Sequence, residues 1–212
     1  MILVPSAGGR QRRPSASAGA DVNGTRYWMI AYERDFSTDN DIGLAAMQGA
    51  TMLETTTLPA LERGFTRAGD GRSRRDFEIS CQALLITGYT EEEMKQSEAG
   101  TKMQIAFYGS TPAYRCVLDT HGWGDLQGEL NRLSKEGRWM EMAALIDEPM
   151  LDALTVRCAP KDVPARLAAR YAGLVDRLSL VCHSRPEANH PGEWSDVVAA
   201  IRGIEAGPAP RP

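Results

Sequence analysis

The chain has 212 residues, 42% hydrophobic and 25% charged, enough for one compact domain with a real core, since chains of this size bury roughly 70% of their unfolded surface. Its 24 basic and 28 acidic side chains give a net charge of −4, with no basic stripe outside the extreme N-terminus, which argues against a nucleic-acid partner. No apolar run approaches the ~20 residues of a membrane span, and the short opening Met1–Val4 ends at Pro5 without the apolar core of a secretory signal, so no membrane is expected and the location is expected to be cytoplasmic.

From Met1 to Gly24 the sequence is rich in Ser, Ala, Gly, Pro and Arg, the composition of a solvated, disordered tail. Arg26–Tyr32 (RYWMIAY) is short, aromatic and apolar, and reads as a strand or a buried helical turn. Asp35–Asp41 is polar and turn-like. Met47–Ala68 then places Leu53, Thr57, Leu61 and Phe65 at fourfold spacing and closes at Gly69, which predicts a helix ending in a glycine cap.

Phe77–Ile86 (FEISCQALLI) predicts a strand buried on both faces, as in a parallel sheet. Thr90 follows as a helix N-cap, with Glu91 to Glu93 in the first turn, where acidic groups favour the helix dipole. Gly109 reads as the stop of that helix, with Ser110 or Thr111 capping the next and Pro112 at its first position. Two helical runs follow, around Leu126–Leu133 and Trp139–Ile146.

Ala153–Val156 (ALTV) predicts a second strand, followed by Pro160 and a helix in which Val163, Leu167 and Tyr171 recur every four residues. Val175–Cys182 predicts a third, leading to a helix with Trp194, Val197, Val198 and Ile201 on one face. Strand and helix thus alternate three times, the pattern of parallel β/α architecture with right-handed crossovers. The glycine-rich stretch 107–148 interrupts that rhythm as an insertion. Ala206–Pro212, with three prolines in seven residues, reads as a second disordered tail, leaving 25–205 as the folded unit.

Cys81, Cys116, Cys158 and Cys182 form no C-x-x-C pair and sit at no zinc-ligand spacing from a histidine, so free thiols in a reducing compartment are expected, and no metal. There is no G-x-S-x-G nucleophile elbow, no Walker loop and no G-x-G-x-x-G after a strand.

Four stretches carry a resemblance: LPALERGF (Leu58–Phe65), DFEISCQALLITGYTEEEM (Asp76–Met94), the insertion Ile105–Trp139, and CAPKDVPARLAARYAGLVDRLSL (Cys158–Leu180). Together, over about Leu53–Val181, they resemble luciferase-like monooxygenases, in particular the branch that uses the deazaflavin coenzyme F-420. The resemblance implies an α/β fold of the (β/α)8 TIM-barrel type holding a deazaflavin, or alternatively FMN, across its C-terminal face, where hydride passes or oxygen is activated on a small-molecule substrate.

A whole barrel takes about 250 residues, so the resemblance implies a partial barrel. Its N-terminal half would be missing because the chain is truncated, or supplied by a homo-oligomer or complementing chain, and the piece alone would be impaired or inactive. The alternative is a non-catalytic interaction fragment that docks through exposed strand edges. One departure stands out: related proteins usually read Gly-x-Pro where this chain has Cys158-Ala159-Pro160, and the added Cβ atoms hinder close approach of the backbone to a ligand.

In a barrel the loops after the strands face the ligand. That places Thr87, Gly88 and Tyr89, then Cys158 to Lys161, then His183 to Arg185, at the expected site. Thr87, Tyr108, Cys158 and Lys161 are candidates for cofactor contact, Lys161 because it stands beside the free N–H groups of a helix start that suit a phosphate. Ordinary helix capping accounts for the same loop residues. Tyr114, His121 and Trp123 are candidates for the substrate pocket, since a flat ring system needs aromatic and hydroxyl neighbours. His183, with a near-neutral pKa, is the candidate for proton transfer; a histidine in a surface loop is the plainer reading, and the only one for His190.

Overall fold

The computed structural model describes residues 19–22, 25–28, 41–43, 47, 49–69, 71, 73–76 and 78–202. Strands β1 (Gly19–Val22) and β2 (Thr25–Trp28) form an antiparallel hairpin with Val22 opposite Thr25. Residues 19–22, read from sequence as tail, are therefore strand. The strand expected over Arg26–Tyr32 pairs within this hairpin, and Met29 to Tyr32 lie outside the described residues, as does the C-terminal tail. Strand β3 (Asp41–Gly43) begins inside the segment expected to be a turn, and pairs in parallel with the start of β4 (Glu78–Ile86).

The helix expected from Met47 to Ala68 is broken into three parts: α1 (Gly49–Met52), a π-helical turn (Leu53–Thr57) and α2 (Leu58–Ala68). It starts late because Met47 and Gly49 both have left-handed backbones, φ 69° and 66°. Glycine is required at the second: a Cβ there would lie 3.2 Å from the Ala153 carbonyl. The C-terminus is the expected one, with Gly69 at φ 64° donating its N–H to Phe65 O.

Strand β4 organises the rest. Its successive side chains point to opposite faces; one face is apolar from Ile79 to Leu85, and the other becomes apolar at Leu84 and Ile86, after Ser80 and Gln82. Leu84 and Ile86 belong to one buried cluster, while Ile79, Cys81, Ala83 and Leu85 belong to another. Helix α3 (Glu91–Ser110) starts at a capping box: Thr90 Oγ1 accepts from Glu93 N, and Glu93 accepts in return from Thr90 N. At 1.5 Å per residue it is about 30 Å long.

Gly109 is not the stop that its residue type predicts. It is buried inside α3, where a Cβ would come within 2.9 Å of Leu130 Cδ1, so its role is close helix packing. Thr111 is the extended residue that ends the helix, and Pro112 opens a 3₁₀ turn, Pro112–Tyr114, in which no side-chain cap forms.

Helices α4 (Arg115–Thr120), α5 (Leu126–Lys135), α6 (Trp139–Ala144) and α7 (Glu148–Leu154) follow. The stretch 107–148 is thus helical for most of its length and begins within α3. Strand β5 is Thr155–Arg157. Ala153 and Leu154, expected in this strand, close α7 instead, because Asp147 and Pro149 start a helix there, with Asp147 Oδ1 accepting from Met150 N. Helix α8 (Val163–Tyr171) buries Val163, Leu167 and Tyr171 as their spacing predicts. Strand β6 (Arg177–Cys182), α9 (Pro186–Asn189) and α10 (Pro191–Arg202) complete the described residues, with Trp194 and Val197 buried.

β3, β5 and β6 all pair with β4, and all in parallel: Leu84–Ile86 against β5 and Ser80–Leu85 against β6. β4 is therefore central, and β6 neighbours β4 rather than β5. Helices α3 to α7 cover the face of Leu84 and Ile86, and α2, α8 and α10 the other. No helix among the described residues is long and apolar enough to cross a membrane.

Candidate functional site

The C-terminal ends of β4 and β6 meet over α3. Thr87 carries on from β4, and its backbone is fully engaged: the N–H donates to Ser97 Oγ at 3.3 Å, and the carbonyl accepts from Ser184 Oγ at 2.7 Å and from Cys182 Sγ at 3.7 Å. Ser97 donates to Leu85 O at 3.2 Å and lies 3.6 Å from the Cys182 sulfur, which is 3.1 Å from Ser184 Oγ. Thr87, Ser97 and Ser184 are buried, so this knot joins the two strand ends to α3. It leaves Thr87, a candidate cofactor contact, enclosed.

One turn further along α3 the character changes. His183 lies against Gly100, where a Cβ would come within 2.5 Å of the His183 Cβ and Cγ. The glycine lets the imidazole seat on the helix backbone. His183 Nε2 lies 2.8 Å from Gln104 Oε1, and Gln104 Nε2 donates to the Tyr108 hydroxyl at 3.4 Å. Tyr108 packs on Tyr114 with ring centroids 5.3 Å apart. Of the residues singled out from sequence, His183 and Tyr108 are joined through Gln104, which sequence reasoning missed, and Tyr114 packs on Tyr108. Burial lowers the His183 pKa below the ordinary histidine value. With the ring neutral, an Nε2–H can donate to the Gln104 oxygen while the amide N–H₂ faces Tyr108.

The other candidates lie apart from this chain. His121 stacks on Trp123, centroids 4.6 Å apart, in the connection between α4 and α5. Its pKa is lowered by burial and then by the charge of Arg170, whose guanidinium binds the Asp152, Ala153 and Thr155 carbonyls where β5 begins. That pair therefore belongs to the starting end of β5, away from His183. Cys158 continues β5, donates its N–H to Ile86 O and packs on the cluster that holds α8 and α10; burial followed by the Asp162 charge raises its thiol pKa. Lys161 is exposed on a 3₁₀ turn, Pro160–Asp162, ahead of α8.

Glu93 ties the neighbouring loops together. Its carboxylate accepts from the N–H groups of Tyr89 and Thr90 at 2.8 and 3.2 Å, from His190 Nε2 at 2.8 Å and from Asn189 Nδ2 at 3.3 Å. Burial opposes ionisation there, but the hydrogen bonds from His190, Tyr89 and Asn189 outweigh it and the pKa falls. His190, read as plain loop, packs on Tyr89 with the rings tilted and their centroids 4.3 Å apart. The sequence signal for Gln104 was its spacing: Ser97, Thr101, Gln104 and Tyr108 recur at intervals of about one helical turn and so form one polar stripe on α3. Among the described residues no cluster of His, Cys, Asp or Glu has the arrangement of a metal site.

No protein-family model matches the chain. Uncharacterized proteins of Mycobacterium tuberculosis and Mycobacterium bovis are 48% identical to it over 126 residues, 59% of this chain and 36% of each relative. The chain thus spans about 36% of the length of the curated relatives it matches. Among solved structures it is similar to the coenzyme F-420-dependent tetrahydromethanopterin reductase from Methanopyrus kandleri, with a TM-score of 0.52 and 20% identity, over 67% of this chain and 39% of that one. The likeness is one of fold, and it is to part of the reductase.

Proposed function

We propose that the chain is the C-terminal β/α portion of a luciferase-like oxidoreductase barrel that takes a deazaflavin, coenzyme F-420, as hydride carrier, with FMN as the alternative. Catalysis on a small-molecule substrate then requires further β/α units, from a longer chain or from a partner. The observation that carries this reading is the His183–Gln104–Tyr108–Tyr114 chain beside the end of a parallel strand, in a fold like that of part of an F-420-dependent reductase.

The residues present fit such a group. Tyr108 and Tyr114 offer a half-buried aromatic wall for a flat ring, and the Gln104 amide with His183 offers donors and acceptors to its polar edge. Lys161 is an exposed cation for a phosphate. A bound deazaflavin or flavin supplies the hydride. The chain's own part is to orient the ring, to keep water from its buried side, and to hold a proton on His183 Nε2.

Titrating the purified chain with oxidised and reduced coenzyme F-420, and separately with FMN, while following cofactor fluorescence tests the reading. Saturable binding is expected, weakened about tenfold in Tyr108→Ala through the lost stacking. A signal that stays flat into the high micromolar range for both cofactors overturns it.

A further inference from the structure

Helix α3 and helix α6 bury one side and display another. Beneath them Ile105, Ala106, Met142 and Ile146 are fully enclosed, yet Phe107 is 51%, Trp139 42%, Met140 76% and Leu145 37% exposed. Phe107 and Trp139 face each other, ring centroids 6.5 Å apart, and Met140 follows in the chain. Apolar residues scattered singly over a surface are ordinary; large ones gathered on one helix pair mark an interaction site. Aromatic residues and Met are the types enriched in the cores of protein interfaces.

The rim says which partner fits. Arg132 pairs with Glu129 and Glu136, and Arg138 pairs with Glu136 and Glu141, so α5 and the start of α6 carry a ladder of alternating sign beside Trp139. These pairs are exposed and contribute little to the fold of one chain. A nucleic acid or an anionic surface would require a single sign. A ladder bearing both signs is complementary to its own copy turned about a two-fold axis, where Arg of one chain meets Glu of the other.

We propose that the α3–α6 face, with Phe107, Trp139 and Met140 at its centre and the Arg132–Arg138 ladder at its rim, pairs with a second copy of this chain. The proposal does not depend on the redox reading. It does have a bearing on the candidate site, because Phe107 stands 5.8 Å from the Tyr108 ring, so a docked copy sits beside the residues linked to His183.

Sedimentation velocity of the full chain over a concentration series tests the pairing. A monomer–dimer equilibrium is expected, with the dissociation constant raised at least about tenfold by Met140→Lys or Phe107→Ser; both positions are exposed, and unchanged circular dichroism certifies the fold. Arg138→Glu and Glu141→Arg each weaken the homodimer, and mixing the two variants restores association as a heterodimer. A wild-type chain that stays monomeric at several hundred micromolar overturns the proposal, as does a dimer that all four substitutions leave unchanged.

Discussion

The two ends of helix α3 use polar residues in opposite ways. Near its N-terminus, Ser97 commits its hydroxyl to the backbone of Leu85 and Thr87, and Glu93 satisfies two loop N–H groups and two side chains from the α9 region. Every one of those bonds fastens chain to chain. Two turns on, Gln104 bonds only to side chains, His183 and Tyr108, and all three are half-buried. The first arrangement is a joint, costly to disturb; the second holds groups in place while leaving them reachable. On this helix, therefore, the bonds of Ser97 and Glu93 close neighbouring strand ends and loops, whereas those of Gln104 link half-buried side chains to one another.

Substitutions at the two ends break or sharpen this contrast. The largest effect is expected for Gly100→Leu, at the boundary between them: the new side chain displaces His183 and costs about 1–3 kcal/mol by overpacking, read as a lower Tm together with loss of the His183 resonance typical of the folded chain. Ser97→Ala leaves the buried Thr87 N–H without a partner and is expected to cost about 1–2 kcal/mol in denaturant unfolding. Thr90→Ala removes one half of the capping box, for about 1 kcal/mol. If Ser97→Ala proves neutral, the knot is not the joint described.

Acid conditions act next. His183 and His121 are held below the ordinary histidine pKa of about 6.5, so just below that value the unfolded chain binds more protons than the folded one. Their contribution is present above pH 6.5 and is lost as pH falls through the window beneath it. The Tm is expected to drop between pH 7.5 and 5.5, less so in His183→Gln; an identical slope in that variant would place the titration elsewhere. Smallest on stability is Gln104→Leu, expected within about 0.5 kcal/mol of wild type. Its effect should show instead in the His183 titration followed by NMR, and a large loss of stability would make Gln104 part of the joint.

What could be read in advance depended on how local the cause was. The β4 strand and the Thr90 cap were legible because an apolar run and a Thr with Glu three residues on specify themselves within a few positions. The α8 and α10 faces were legible for the same reason. Ala153–Leu154 went astray because a four-residue apolar run fits strand or helix end equally well, and the deciding signal, Asp147 with Pro149, lay upstream. Gly109 was misread because a glycine serving a partner helix looks like one serving a turn. Nothing along the chain specifies that β6 neighbours β4 instead of β5, since pairing partners are chosen by packing across the sheet. Of the candidate site, His183, Tyr108 and Tyr114 were picked out by residue type, while Gln104 needed the spacing of α3.

The π-turn at Leu53–Thr57 has one more consequence. It is the point at which neighbouring residues serve different cores, Met52 with the α3–α7 side and Leu53 with the α8–α10 side. A wide turn of this kind accommodates one residue more than a regular helix needs. Removing Thr55, which is exposed, is therefore expected to return the turn to regular helix with Met52 and Leu53 still on their two sides. At this point the molecule can be shortened by a single position, whereas truncating the buried Leu53 is costly.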